Sequence, residues 1–456
     1  MAHFPALPGS THHDIATRFL GRLLSSRGRG LPLSTAASDR GAVVDAFLQK
    51  HREDLVELVA DLVSIDSQIP PHADERRIVD FLRTRMAALG LGGGEVVAAD
   101  PARPNLVTRI AGSGGADKLV LNGHVDTKPV GDSLPLWHSD PLRPEIRDGC
   151  LYGLGASDMK GAVAAMVFAA AAVIESGEQL AGDLVLAFVA DEEAGAELGS
   201  KFLAPRLGDV NACLIGEPSG WERDWQALHL VSRGVCCFRI RVRGTQMHSS
   251  LSDRVHSVNA SRRMAGLLVS LEDELELEFV PHPLGRVTPT LNVGVLVSGG
   301  VFFGVVPGHA EFACDLRTLP GMTEAGVRQS LERWLERHRA ADPDLDAEII
   351  FEPGLTWVPP AEIDKTHPLV VAAQSAAHEV LGASPPLSVF PGATDAPWFD
   401  AAGTATIPSF GPGILTCCHG PNEYVSVESV LQASRIYARI AIGYCGVSSD
   451  GPRRRL

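Results

Sequence analysis

Three short apolar runs in this chain end at a histidine or at acids, and this constrains the fold more than any other feature. Lys118-Leu-Val-Leu leads into Asn122-Gly-His124-Val-Asp126, Leu184 to Ala190 into Asp191-Glu192-Glu193, and Cys213-Leu-Ile into Gly216-Glu217-Pro218. A fourth segment, Gly153 to Gly161, carries Asp158 and opens an Ala-rich helix. Short apolar runs bounded by turn residues read as buried strands. Strands alternating with helices imply a largely parallel sheet covered on both faces. Ligands of such sheets bind beyond the carboxyl ends of the strands, so the four polar clusters are expected to meet in one crevice.

The rest of the pattern fits that frame and then departs from it. Helical periodicity runs from Val43 through Leu62 and from Asp74 to Leu89, with a further helix over Ala162 to Glu175. Strands are expected at Leu106 to Ile110, Leu119 to Leu121, Leu184 to Ala190 and Ala212 to Ile215. Around Val231 the pattern changes. A strand over Val235 to Val242 alternates with arginines, which leaves one face solvated, and a helix over Val258 to Leu271 follows. Strands near Thr290 to Val297 and His309 to Leu316, a helix over Glu324 to Arg339 and a strand over Ala347 to Phe351 complete a ferredoxin-like order. The expected architecture is an α/β, mostly parallel-sheet catalytic domain (residues 41–230 and 354–456) with an inserted ferredoxin-like α+β domain at 231–353. Residues 1–40 carry Arg18, Arg22, Arg27 and Arg29 against few acids and read as a flexible tail. A cleaved targeting peptide is the alternative.

Composition narrows the function classes. A chain of 456 residues exceeds what one core usually serves, which favours two domains. A formal charge of -15 argues against a nucleic-acid partner, which needs a basic footprint. No apolar run is read as reaching the roughly 18 residues of a membrane span. The eight cysteines are singles and two adjacent pairs without a CxxC, the pattern of buried thiols in a reducing, cytoplasmic compartment.

Taken singly, the polar clusters have ordinary explanations: a satisfied histidine before a turn, a solvated Glu pair, an aspartate capping a helix. Their joint occurrence at successive strand ends points to a shared site, and imidazole with carboxylate is a suitable ligand set for zinc. The stretches GHVDT (123–127), LYGLGASDMKG (151–161), DEEAG (191–195), IGEPS (215–219) and CHGPNE (418–423) resemble the signatures of one dinuclear zinc metallopeptidase family. It includes acetylornithine deacetylase, succinyl-diaminopimelate desuccinylase, aminoacylase and glutamate carboxypeptidase. Order and spacing agree from about residue 45 to 445, and RTLPG (317–321) and GATDA (392–396) extend the match.

The resemblance implies two divalent metal ions, zinc fitting the ligands best and cobalt or manganese being alternatives. Asp158 would bridge them, His124 and Glu217 completing one site and Glu193 with His419 the other. Asp126 would accept a hydrogen bond from the far ring nitrogen of His124, and Glu192 would be the general base. A cis peptide is expected after Asp158. The inserted domain would act as a lid and in dimerisation, with His248 reaching into a partner's site, unless it is a capping or surface histidine. Asn292 and Arg317 resemble residues that grip a substrate carboxylate, although Arg317 could instead pair with Asp315. Gly392 would offer a backbone N–H, and Thr394 and Asp395 would shape its loop.

Four features depart from the family pattern: Met247 before His248, Gly304 before Val-Val-Pro, Lys128 after the first motif, and an insertion at Trp221 to Trp225. The expected activity is hydrolysis of an N-acyl amino acid by a homodimer. A dipeptidase, a carboxypeptidase and a deaminating or decarbamoylating amidohydrolase are the alternatives. A non-catalytic binding module would be expected to lack a ligand or the base, and all six residues are present.

Overall fold

The strands expected to carry the acids lie side by side. The computed structural model describes residues 35–448 apart from Ala73 and Ala116. A six-stranded sheet runs in the order Glu95–Val97, Asn105–Ile110, Leu184–Val189, Leu119–His124, Ala212–Ile215, Ala405–Ile407. The last four strands are mutually parallel. Asn105–Ile110 pairs antiparallel with both of its neighbours and so runs against the other five, which makes the sheet mixed. The short connection between Val97 and Asn105 explains the first reversal, because a parallel neighbour needs a crossover of a dozen residues or more.

Both faces of the sheet are covered, as the continuous apolar runs require. Leu119, Leu121, Leu184, Leu186, Phe188 and Leu214 point into one core, and Val120, Val185, Ala187, Val189, Cys213 and Ile215 into another. This is the two-residue alternation of a strand with no solvated side. The first core is filled by helices Gly161–Glu175 and Val427–Cys445. The second helix starts at Ser426, whose side chain accepts from the Ser429 N–H, carries Glu428 in its first turn and stops at Gly446 (φ 66°). Ala156–Glu175 is long and apolar enough to cross a membrane by length and composition, contrary to expectation. Of this stretch, 94% is buried in the protein, as befits a helix at the centre of a core.

The segment 231–353 builds its own four-stranded sheet, ordered Thr290–Gly299, His309–Thr318, Gly234–Arg243, Asp346–Phe351 and antiparallel throughout. This is the ferredoxin-like strand order. Phe238, Ile240 and Val242 are buried in a core with Leu267, Phe312 and Trp334. Arg239 and Arg241 alternate with them and pair with Glu311, Glu348 and Glu352. Strand Leu228–Ser232, absent from the sequence reading, pairs with Ala361–Glu362 and Leu387–Phe390. Residues 1–34 of the expected tail lie outside the described residues, and a helix, Thr35–Lys50, begins within the stretch read as tail.

Candidate metal centre

Strand direction delivers the polar groups to one place. His124 is the last residue of its strand, and Glu193 and Glu217 follow the ends of the two parallel neighbours. His124 Nε2 lies 2.9 Å from Asp158 Oδ1 and 3.4 Å from Glu217 Oε1. His419, brought in from the far end of the chain, places Nε2 3.1 Å from Asp158 Oδ2 and 3.2 Å from Glu193 Oε1. The peptide between Asp158 and Met159 is cis.

Each of these residues is held by neighbours. Glu423, fully buried, accepts from the backbone N–H groups of Gly155, Ser157 and Asp158 at 2.9–3.0 Å, fixing the loop that presents Asp158. The turn bearing Glu192 and Glu193 is anchored through Asp191 (φ 69°), whose carboxylate pairs with Arg103 at 3.1 Å. Arg103 in turn makes two 2.5 Å bonds to Glu75, and all three residues are buried. The turn closes on Gly195 at φ 112°, where a Cβ would lie 2.6 Å from the Gly354 carbonyl, so only glycine fits.

The placement of Asp126 differs from expectation. His124 Nδ1 donates to the backbone carbonyl of Asp126 at 3.0 Å, while the carboxylate stands 3.6 Å away. That carboxylate instead accepts from the Glu192 and Glu193 N–H groups at 3.3 and 3.0 Å. The carbonyl is the nearer acceptor because the carboxylate is drawn towards two backbone donors. The imidazole is still fixed with Nδ1 as donor, which leaves Nε2 to face the carboxylates.

The buried acids and His419 shift one another's protonation. Burial, with the charge of Asp158, pushes Glu217 up to about 7, and burial pushes Asp126 up to about 7. Burial and the surrounding carboxylates Glu217, Glu193 and Asp395 raise Glu192 well above the usual range. Burial disfavours a charged His419, but Glu193 and Asp158 outweigh it and lift the ring to about 11. Carboxylates converging this closely favour a positive charge between them. Donor atoms of His124, Asp158 and Glu193 lie within 4.8 Å of one another, as do those of His124, Glu192 and Glu217. A buried imidazole nitrogen and carboxylate oxygens at such spacing fit a divalent cation.

The cluster opens into a cavity of about 540 Å³ lined by Lys128, Glu192, Arg317, Gly392, Asp395, Trp398 and apolar Val235, Leu355, Val358, Phe390 and Leu415. Arg317 faces it while pairing with Asp315 at 2.7 Å, the alternative foreseen for that residue. Lys128 bonds Glu193 through its carboxylate at 3.0 Å and through its carbonyl. Asn292 and His248 are not brought to the cavity. Asn292 is exposed on the edge strand, and His248 is exposed with Nδ1 accepting from the Ser250 N–H at 3.2 Å. The sequence reading missed Glu423 and Arg103. Glu423 could have been found four residues beyond His419 in a motif otherwise free of acids, whereas Arg103 gives no local signal.

Residues 120–442, well over half of the chain, match the model of "Peptidase family M20/M25/M40". The chain belongs to this family. It is 30% identical over 413 residues to acetylornithine deacetylase of Myxococcus xanthus, covering 87% of this chain and 97% of that protein. It is 27% identical over 424 residues to N-formyl-4-amino-5-aminomethyl-2-methylpyrimidine deformylase of Bacillus subtilis (strain 168), covering 87% and 96%. Among solved structures it resembles the di-peptidase Dug1p of Saccharomyces cerevisiae, with a TM-score of 0.73 at 16% identity over 90% of this chain and 99% of that one. This M20 chain is therefore a hydrolytic enzyme acting on amide bonds, in a family whose members are metal-dependent.

Proposed function

We propose that this M20 hydrolase removes the acyl group from a small N-acyl amino acid at a centre of two divalent cations, zinc being the best match. The observation that carries this reading is the position of Asp158, with one carboxylate oxygen towards His124 and the other towards His419. His124 and Glu217 would hold one ion, His419 and Glu193 the other, with Asp158 shared. Bound there, divalent ions supply Lewis acidity, making water a better nucleophile near neutral pH and stabilising negative charge on a carbonyl oxygen. Glu192 lines the cavity beside the ligands and is assigned as the base that takes the proton of the attacking water and returns it to the leaving amine. Asp126 holds the Glu192–Glu193 backbone in place for this task. Arg317 and the Gly392 loop line the same cavity, where a fork of permanent positive charge suits a substrate carboxylate.

The same reading includes a cytoplasmic homodimer, with 231–353 as lid and dimerisation unit, His248 acting on the partner's substrate and Asn292 gripping the substrate's carboxylate or backbone. Two observations favour an interface on this unit. His248 is exposed and does not line the cavity, and Phe302 and Phe303, beyond the edge strand, are 77% and 92% exposed. The eight free cysteines suit a reducing compartment.

The test is a panel of N-acetyl, N-formyl and N-succinyl amino acids and of dipeptides, offered to zinc-loaded protein with free amine as readout. Turnover of acylated amino acids at least about ten-fold better than of any dipeptide is expected, about 1.4 kcal/mol of transition-state preference. Hydrolysis of dipeptides with acylated amino acids untouched would assign a peptidase instead.

A further inference from the structure

The two oxygens of Glu193 have different neighbours. Oε1 lies 3.2 Å from His419 Nε2, and Oε2 lies 3.0 Å from the ammonium of Lys128. The same ammonium donates to the Glu193 carbonyl, so Lys128 grips this residue at two points. Its counterpart in the other half-site, Glu217, approaches His124 Nε2 at 3.4 Å, and among the described residues no Lys or Arg forms an ion pair with it. The histidines differ as well. His124 is 1% exposed on a central strand, whereas His419 is 48% exposed on a turn at φ 58°.

We propose that Lys128 makes the two half-sites unequal: it occupies one oxygen of Glu193, offsets that carboxylate's charge, and leaves the His419 half-site the weaker and more readily exchanged of the two. Attraction for a dication depends on the net charge of the donors and on their nearness. The His124 half-site offers Glu217 and a share of Asp158. The His419 half-site offers Glu193 and a share of Asp158, with a fixed cation 3.0 Å from the former. Lys128 also limits Glu193 to a single donor oxygen. It is a positioning residue, acting on the metal centre through Glu193. The inference rests on the metal-centre reading above and extends it to an order of filling.

The experiment titrates chelator-stripped full-length protein with zinc in buffers of defined free zinc, counting bound metal by mass spectrometry. Wild type is expected to fill in two steps at least ten-fold apart in free zinc. Lys128→Met should move the second step to at least ten-fold lower free zinc and leave the first in place. Lys128→Gln provides a second neutral side chain should the methionine variant fold poorly, and Lys128→Arg, keeping the charge, should keep the two steps apart. Two ions taken up in one step by wild type, or a second step unmoved in both neutral variants, would overturn the role of Lys128 while leaving the metal centre standing. Absence of bound zinc in every form would overturn both.

Discussion

The two carboxylate oxygens of Asp158 face two different histidines, Oδ1 lying 2.9 Å from Nε2 of His124 and Oδ2 3.1 Å from Nε2 of His419. The residues are 261 positions apart in the case of Asp158 and His419, counting from 158 to 419, and the fold joins them through one buried acid. Glu423 sits four residues after His419 and binds the backbone of Asp158 directly. Asp158→Asn keeps the shape of the side chain but removes its charge and makes one oxygen a donor group. If the proposed centre holds two ions per chain, metal content is expected to fall to one or none. Affinity for the remaining ion should drop by more than the roughly 10–100-fold typical of losing an outer partner of a ligand. Metal counting after dialysis against zinc buffers checks this.

Arg103 holds the acid-bearing turn from behind. It makes two bonds to Glu75 and one to Asp191, all buried, and Asp191 begins the turn that carries Glu192 and Glu193. Arg103→Met leaves two buried carboxylates without their counter-ion. Breaking a buried ion pair from one side costs about 3–5 kcal/mol, and that loss is expected in urea unfolding of the chelated protein. A change under about 1 kcal/mol would show that solvent or another cation replaces the guanidinium.

Residues that carry strong local patterns were legible in the sequence, and residues that act through distant partners were not. Leu184–Val189 could be read because both its faces are apolar, and Ala212–Ile215 for the same reason. Glu95–Val97 is short and mostly exposed, so neither its presence nor the antiparallel edge it creates leaves a hydrophobic trace. Strand Leu228–Ser232 lay at the expected domain boundary, and only its distant partners at 361–362 and 387–390 reveal it. In the site, His124, Asp158, Glu193, Glu217 and His419 were named from their motifs, and the structure draws all five together. Which atom of Asp126 meets His124 depends on turn geometry that residue types do not encode.

Zinc affinity should rise with pH. In the metal-free protein, burial and Asp158 hold Glu217 at about 7, while Glu193 and Asp158, outweighing burial, hold His419 at about 11. Both groups must give up their protons to bind a cation, so affinity is expected to increase by about ten-fold per pH unit for each proton displaced. The stability of the metal-free protein runs the opposite way. Each folded value lies above the ordinary one, so each contribution is fully present below the ordinary value (4.5 for Glu217, 6.5 for His419). Each is lost as pH rises through the folded value. The gap in Tm between zinc-loaded and chelated protein should therefore widen from pH 6 to pH 8. A gap that narrows over that range would contradict the assigned protonation.

Metal content and amide hydrolysis followed on one preparation test the central claim most directly. Protein stripped with a chelator should hold no zinc and release no amine from an N-acyl amino acid, and both should return together on adding zinc. Glu192→Gln should regain the full metal content yet turn over about 10²–10⁴-fold more slowly, the usual range for a lost general base. Undiminished hydrolysis by the stripped protein, or by the Glu192→Gln variant, would contradict a metal centre served by Glu192.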